Sequence, residues 1–273
     1  MAVNTKVVLA DTVVDTLDQS LIISGQLMNK VDQFAEIRVQ EAANSIAFNV
    51  FSRVAKATTP LTDGTEATSA SMAETKVTLT PAEYGLPITT TSLAEIASGG
   101  KATVAAGELV GINMGETLDA LGCAALEAGT NTTAAGTAGT LAKGDLRARY
   151  TALVNAGIQK FADGRYVAFM NPAQIADLKD DYISIAQNTN LGEAVNGMVG
   201  TLEGFTIIED ANITAGTVVV FGRNALGKAI ALEPEMRITD GGDNLGRLAN
   251  IGWYGIVKYG IIDNNAVQVI TGA

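Results

Sequence analysis

Histidine occurs nowhere in the 273 residues. Its absence removes the commonest general base near neutral pH, the Ser-His-Asp triad and the commonest metal ligand. Cysteine occurs once, at Cys123, so neither a disulfide framework nor a thiolate cage forms within one chain. That position reads as a small buried packing residue. Charge is scarce as well. Asp, Glu, Lys and Arg make up 17% of the chain, against about 25% in an ordinary soluble domain. The balance is acidic, at −11, which argues against a dedicated nucleic-acid-binding surface, because such surfaces neutralise phosphates with Lys and Arg. A chain that only encloses nucleic acid needs no such surface.

No apolar run of about 18 residues is available to span a bilayer. The start, MAVNTKVVLADTVVD, lacks the basic-then-apolar order of a signal peptide, and the expectation is a chain of the reducing cytosol. No Gly-x-Gly-x-x-Gly or Gly-x-x-x-x-Gly-Lys-Ser/Thr follows a predicted strand, and no Gly-x-Ser-x-Gly elbow exists. Asp240-Gly-Gly-Asp243-Asn244 places two carboxylates and an amide on one stretch, but without EF-hand spacing it reads as a plain turn. Asp180-Asp181 and Glu209-Asp210 are adjacent pairs whose side chains point to different faces of regular structure, which suits no shared acid/base site. The chain is therefore expected to hold no catalytic, cofactor-binding or metal residues and to need no cofactor.

What the chain has is a long amphipathic helix, expected over Lys101–Ala128. Val110, Met114, Leu118, Leu121 and Ala125 fall on an arc of about 80°, and Glu108, Glu116, Asp119 and Glu127 on a separate polar arc of about 100°. Gly107, Gly111, Gly115 and Gly122 lie between the arcs. Each costs roughly 0.8–1 kcal/mol of helix stability relative to Ala, so another backbone is expected to lie close along that strip. With 47% hydrophobic residues, the chain buries much, in a core of its own or against copies of itself.

Around this helix the elements follow in order. A short extended piece is expected over Lys6–Ala10, then a helix with Val13, Val14, Leu17 and Leu21 on one face. Ile46, Phe48, Val50 and Val54 alternate with Ala47, Asn49, Phe51 and Arg53, and Lys76–Thr80 answers them, giving a β-hairpin. Its connection, ATTPLTDGTEATSASMAET, is polar except for Leu61 and Met72 and long enough to signal function or disorder. A strand over Ala82–Thr91 leads to a short helix capped by Thr91 or Ser92 and broken at Gly99-Gly100. Residues 129–140 read as a flexible boundary. Residues 141–230 read as an α/β unit: a helix carrying Leu146, Tyr150, Leu153 and Val154, a strand Tyr166–Met170, Asn171-Pro172 opening a helix with Ile175 and Leu178, and central strands at 204–208 and 217–221. Gly192, Gly197, Gly200 and Gly204 punctuate the link between that helix and the next strand. Strands return at the end, with Ile251, Trp253, Val257, Tyr259 and Ile261 on one face, a tight hairpin-type turn at Asp263–Ala266, and a last strand through Val267, Val269 and Ile270.

Three local patterns bear on the whole. TTPLTDG (58–64) precedes KVTLTPAEYGLPITTTSLAEI (76–96), and YVAFMNPAQIADLKD (166–180) is followed by GTLEGFTIIEDANI (200–213) and VVVFGRNALG (218–227). Together and in this order they resemble the major capsid proteins of tailed phages with the Hong Kong 97-like fold, across essentially the whole chain. The resemblance implies an α+β class: an N-terminal arm (1–45), an extended β-hairpin loop (46–92), a peripheral domain with the spine helix and closing β-strands (93–140 and 226–273), and an α/β axial domain (141–225). It implies a structural, non-enzymatic subunit that self-assembles into an icosahedral phage head around double-stranded DNA. The extended loop would lie over a neighbouring copy, with Leu61, Thr62, Asp63 and Met72 as contact residues. Many copies of the chain are the principal partner, and scaffolding, portal and decoration proteins would be separate chains. The virion capsid is the expected location, with assembly in the host cytoplasm and no membrane. The same fold admits a second reading as the shell of a cellular nanocompartment, and an enzyme built on 141–230 is a distant third.

Overall fold

The computed structural model describes residues 28–40, 44–185, 200–242 and 245–273. The expectations over Lys6–Ala10 and Val13–Leu21, at Gly192 and Gly197, and at Asp243-Asn244 lie outside the described residues. A 3-10 turn, Val31–Phe34, leads into β1 (Glu36–Val39) and β2 (Ile46–Phe51). β2 pairs antiparallel with β3 (Glu74–Leu79), from Ile46 opposite Leu79 to Phe51 opposite Glu74. β4 (Ala82–Thr91) runs into α1 (Ser92–Ser98), where the Thr91 hydroxyl accepts the Ala94 N–H at 3.1 Å. Gly99 closes α1 at φ +63°, a left-handed conformation that costs glycine nothing.

The long helix follows as α2 (Ala102–Glu127), within one residue of expectation at each end. Val110, Met114 and Leu118 are buried, as are all four helix glycines, so the apolar face and the glycine strip together face the protein. At Gly122 the close neighbour is the side chain of Val31: a Cβ there would stand 2.6 Å from Val31 Cγ1. The polar face holds for Glu108 and Glu116, which are exposed, but not for Asp119, which is buried. That departure has a polar cause described below.

Two sheets flank α2. The first has the order β1-β10-β11-β4, with β10 (Leu226–Asp240) and β11 (Leu248–Ile261) as its long central pair. The return to β from residue 231 agrees with the sequence, but β10 as one long strand and the parallel edge strand β1 were not expected from it. Pro234 and the register shifts between Ile230 and Glu235 interrupt β10, so its alternation breaks in the middle. A bulge is where a strand tolerates proline. Pro87 is tolerated for a different reason, because β4 is an edge strand. As expected, Ile251, Trp253, Val257 and Tyr259 on β11 are buried.

The second sheet, order β5-β12-β9-β6-β8-β7, comprises β5 (Thr132–Ala134), β6 (Tyr166–Met170), β7 (Thr201–Leu202), β8 (Phe205–Glu209), β9 (Thr217–Phe221) and β12 (Val267–Thr271). Two helices, α3 (Lys143–Asn155) and α4 (Pro172–Ile185), cover one face, and α2 lies against the other. Val167, Phe169, Val219 and Phe221 join the α2 core, whereas Ala168, Met170, Val218 and Val220 pack with Leu146, Leu153, Ile175 and Leu178. Burial on both faces explains why β6 reads as an unbroken apolar run.

Two local expectations fail. Residues 129–140 are not simply a flexible link: β5 pairs parallel with β12, and Asn131 Nδ2 donates to the carbonyls of Asn264 (2.6 Å) and Val267 (3.3 Å). Asp263–Ala266 is not a hairpin loop, because Asn264–Ala266 is a 3-10 turn that carries the chain from β11 in one sheet to β12 in the other. β12 and β5 thereby join the sheet of the α/β unit rather than the one built on β11. The short β7 was also unforeseen. It reaches β8 through Glu203 and Gly204, both at positive φ (48° and 86°), as a two-residue hairpin turn requires.

Candidate assembly surface and a buried carboxylate junction

The hairpin connection carries the residues singled out for subunit contact. Beyond the bond from Ser52 N–H to the Ala73 carbonyl (2.8 Å), the chain over 52–73 forms no strand or helix. Every residue from 51 to 76 is exposed. Leu61 and Met72 are 79% and 71% exposed, far more than apolar side chains of this size show in a folded interior. Thr62 accepts the Thr65 N–H at 3.2 Å through its carbonyl, making a turn around Asp63 and Gly64. Leu61, Thr62, Asp63 and Met72 thus stand clear of the rest of the chain. Below the hairpin, an open cleft of about 1660 Å³ is lined by Phe51, Arg53, Leu121, Ala125, Tyr259 and Asn264, among others. No helix among the described residues is long and apolar enough to cross a membrane.

A second feature lies inside. Asp119, 1% exposed, accepts the N–H groups of Lys30 (2.8 Å) and Val31 (3.2 Å) on Oδ1 and the Asn212 amide (2.8 Å) on Oδ2. Asp210, 2% exposed, follows β8 and accepts the Asn212 N–H at 2.9 Å on Oδ1, while its Oδ2 is buried without a hydrogen-bond partner among the described residues. Cys123, one helical turn beyond Asp119, brings its sulfur into the same cluster, and the three side chains offer atoms within 4.8 Å of one another. Burial, and next the adjoining Asp210 side chain, push the Asp119 carboxyl up to about 6, against the pull of the Asn212 and Lys30 donors. Burial and the carboxylates of Asp210, Asp119 and Glu127 push the Cys123 thiol up. With a neutral thiol and both Asp119 oxygens occupied by N–H donors, the cluster is a poor cation ligand set. It is a contact between two buried acid side chains.

Beside it, Lys228, 5% exposed, pairs with Asp32, and Asp32 Oδ1 also accepts the Tyr259 hydroxyl at 2.6 Å. Asn29 Nδ2 donates to that hydroxyl at 3.2 Å, and Asn29 Oδ1 accepts the Asp32 N–H at 3.2 Å. Residues 29–32 are therefore fastened to α2, β10 and β11 through two carboxylates. The sequence offered no signal for this. In sequence Glu209-Asp210 is only an adjacent pair; the partner that matters to Asp210 is Asp119, brought in from another element.

Compared by sequence with curated proteins, the chain has no match. Its fold is similar to solved capsid structures. With the capsid of Ralstonia phage GP4 the TM-score is 0.70 at 12% identity, over 87% of this chain and 86% of that one. With the head of Helicobacter pylori bacteriophage KHP40 it is 0.67 at 12% identity, over 89% and 91%. A virus-like particle from Pyrococcus furiosus gives 0.63 at 13% identity, over 94% and 98%. At such identities these likenesses speak for the Hong Kong 97-like fold, with its sheets on either side of a long helix. The family model described as phage capsid protein matches residues 103–270, more than half of the chain. The chain belongs to the phage capsid protein family and is a structural major capsid subunit of the tailed-phage type.

Proposed function

We propose that many copies of this chain close into the icosahedral head of a tailed phage, enclosing double-stranded DNA without reading its sequence. The role is structural rather than catalytic. The observation that carries the reading is the hairpin tip: residues 51–76 are exposed throughout, and Leu61 and Met72 have no apolar cover from the described residues of their own chain. Apolar side chains held out on a projection gain burial when a sister subunit supplies the surface. In this reading residues 46–92 form the extended loop over a neighbour, and Leu61, Thr62, Asp63 and Met72 make the contact. Residues 141–225 form the axial domain, 93–140 with 226–273 the peripheral domain, and 1–45 an arm. The net charge of −11 suits an enclosing wall, which holds DNA by confinement rather than by phosphate contacts. Assembly takes place in the host cytoplasm, with any scaffolding, portal or decoration protein a separate chain.

Negative-stain microscopy of the purified chain tests the reading. Closed shells of uniform diameter are expected, and Leu61→Asp with Met72→Asp should leave unassembled subunits with unchanged circular dichroism. A wild-type chain that stays a compact monomer or dimer under every assembly condition overturns the proposal. Shells that form from the double variant as readily as from wild type overturn the assignment of the contact to 46–92.

A further inference from the structure

The Asp119–Asp210 contact is independent of how subunits meet, and it leaves a chemical imbalance inside the chain. Three segments converge there: residues 29–31, whose N–H groups point at Asp119; helix α2, which carries Asp119 and Cys123; and the turn after β8, which carries Asp210 and Asn212. Asp119 is satisfied by three N–H donors, whereas Asp210 Oδ2 is buried with none among the described residues. A buried carboxylate oxygen without a donor is costly, and it is relieved when a proton lies between the two acids.

We propose that this contact is a proton-operated clamp: one proton shared by Asp119 and Asp210 holds residues 29–31, α2 and the turn after β8 together, and its release to water loosens them. In the closed form one acid is neutral and donates to the other. Release leaves two carboxylates face to face in a site shielded from solvent, where like charges repel most strongly.

The charged and titratable surroundings are mostly acidic. From α2 come Cys123, held as a neutral thiol, and Glu127; from the end of β8, Glu209; from the 3-10 turn, Asp32; and from β11, Tyr259, whose hydroxyl burial and Asp32 keep protonated. Lys30 and Lys228 are the nearby cations, but the Lys30 ammonium is engaged with the Glu209 carbonyl at 2.6 Å and Lys228 is paired with Asp32. The position of the Asp119 carboxyl, up at about 6 from 3.8, sets the working range. The folded chain binds the extra proton between about pH 4 and about pH 6, so the clamp's stabilisation is present at the acid end and fades as pH rises through that window.

Hydrogen exchange of the full-length chain, corrected for intrinsic rates, tests this at the Lys30, Val31 and Asn212 amides. Between about pH 4.5 and about pH 7.5 the wild type should lose about twenty- to thirtyfold protection there, the part of a two-unit pKa displacement that falls inside that window. Asp210→Asn, whose amide donates to Asp119 at any pH, should keep protection and lose its pH dependence. Infrared spectra of the wild type should show a buried protonated carboxyl at the acid end that vanishes by neutrality, a readout independent of whether any variant folds. Protection at the three amides that tracks the β2–β3 amides across the range, or the absence of a titrating buried carboxyl band, overturns the clamp. Neither result bears on shell formation.

Discussion

Gly122→Ala is the most direct probe of how α2 meets the rest of the molecule, because two effects of opposite sign compete at one atom. In an exposed helix interior the change would stabilise the protein by about 0.8–1 kcal/mol. Here the added methyl would lie 2.6 Å from Val31 Cγ1 and 2.9 Å from Val31 Cβ. Real carbon contacts do not approach so closely, so Val31 or the helix must shift. Val31 is fully buried in the main core cluster and has little room to yield. Overpacking of this kind costs about 1–3 kcal/mol. The net expectation is a loss of about 1 kcal/mol where propensity alone forecasts a gain of about that size. Val31→Ala by itself should cost about 2 kcal/mol through lost burial and the space it leaves. In the double variant the new methyl fills part of that space, so its cost should fall short of the sum by about 1–2 kcal/mol. Urea denaturation of unassembled subunits, followed by tryptophan fluorescence from Trp253, measures all four corners of the cycle. A Gly122→Ala chain more stable than wild type, with strictly additive single changes, would refute the close approach of Val31 and the reading of Gly122 as a contact point.

Lys228→Met should cost about 3–5 kcal/mol, because it strands the Asp32 carboxylate beside Tyr259 in a mostly buried site, and the midpoint of denaturation reads the loss. Asn171→Ala should cost about 1 kcal/mol: the Asn171 side chain accepts the Ala173 N–H at 3.1 Å at the start of α4 and donates to the Ile213 carbonyl at 2.9 Å, and a thermal melt should show the shift. Leu61→Asp and Met72→Asp, both on exposed side chains, should each leave subunit stability within about 0.5 kcal/mol while lowering the yield of shells. Glu203, held below the usual carboxylate range chiefly by Arg147, should contribute stability at neutral pH that disappears as pH falls through the acid range, and Glu203→Gln should flatten that part of the stability profile.

The α2 helix, the β2–β3 hairpin, the Thr91 and Asn171 caps and the strand over Tyr166–Met170 were all legible in the residue order. Each rests on periodicity or on a hydrogen bond between residues a few positions apart, and such information is local. Local, too, was the likeness of the 58–64, 76–96 and 166–227 stretches to a capsid family. β1, and β10 as one long strand, were not legible, because a four-residue edge strand has too few alternations to count, and the bulge at Pro234 breaks the longer one. Asp263–Ala266 read as a hairpin because its Asn and Asp residues favour turns, while the choice of sheet for β12 depends on pairing with β9, which lies far back in the chain. The same holds inside the molecule. The sequence placed Asp119 on a polar stripe by its angle around the helix; the tertiary structure buried it, because Lys30, Val31 and Asn212 arrive with N–H donors from distant segments. Residue order by itself determined the helices, the hairpin and the family. Which acids meet, and that Gly122 meets Val31, was decided only by tertiary packing, because such contacts depend on how elements stack and no periodicity records that.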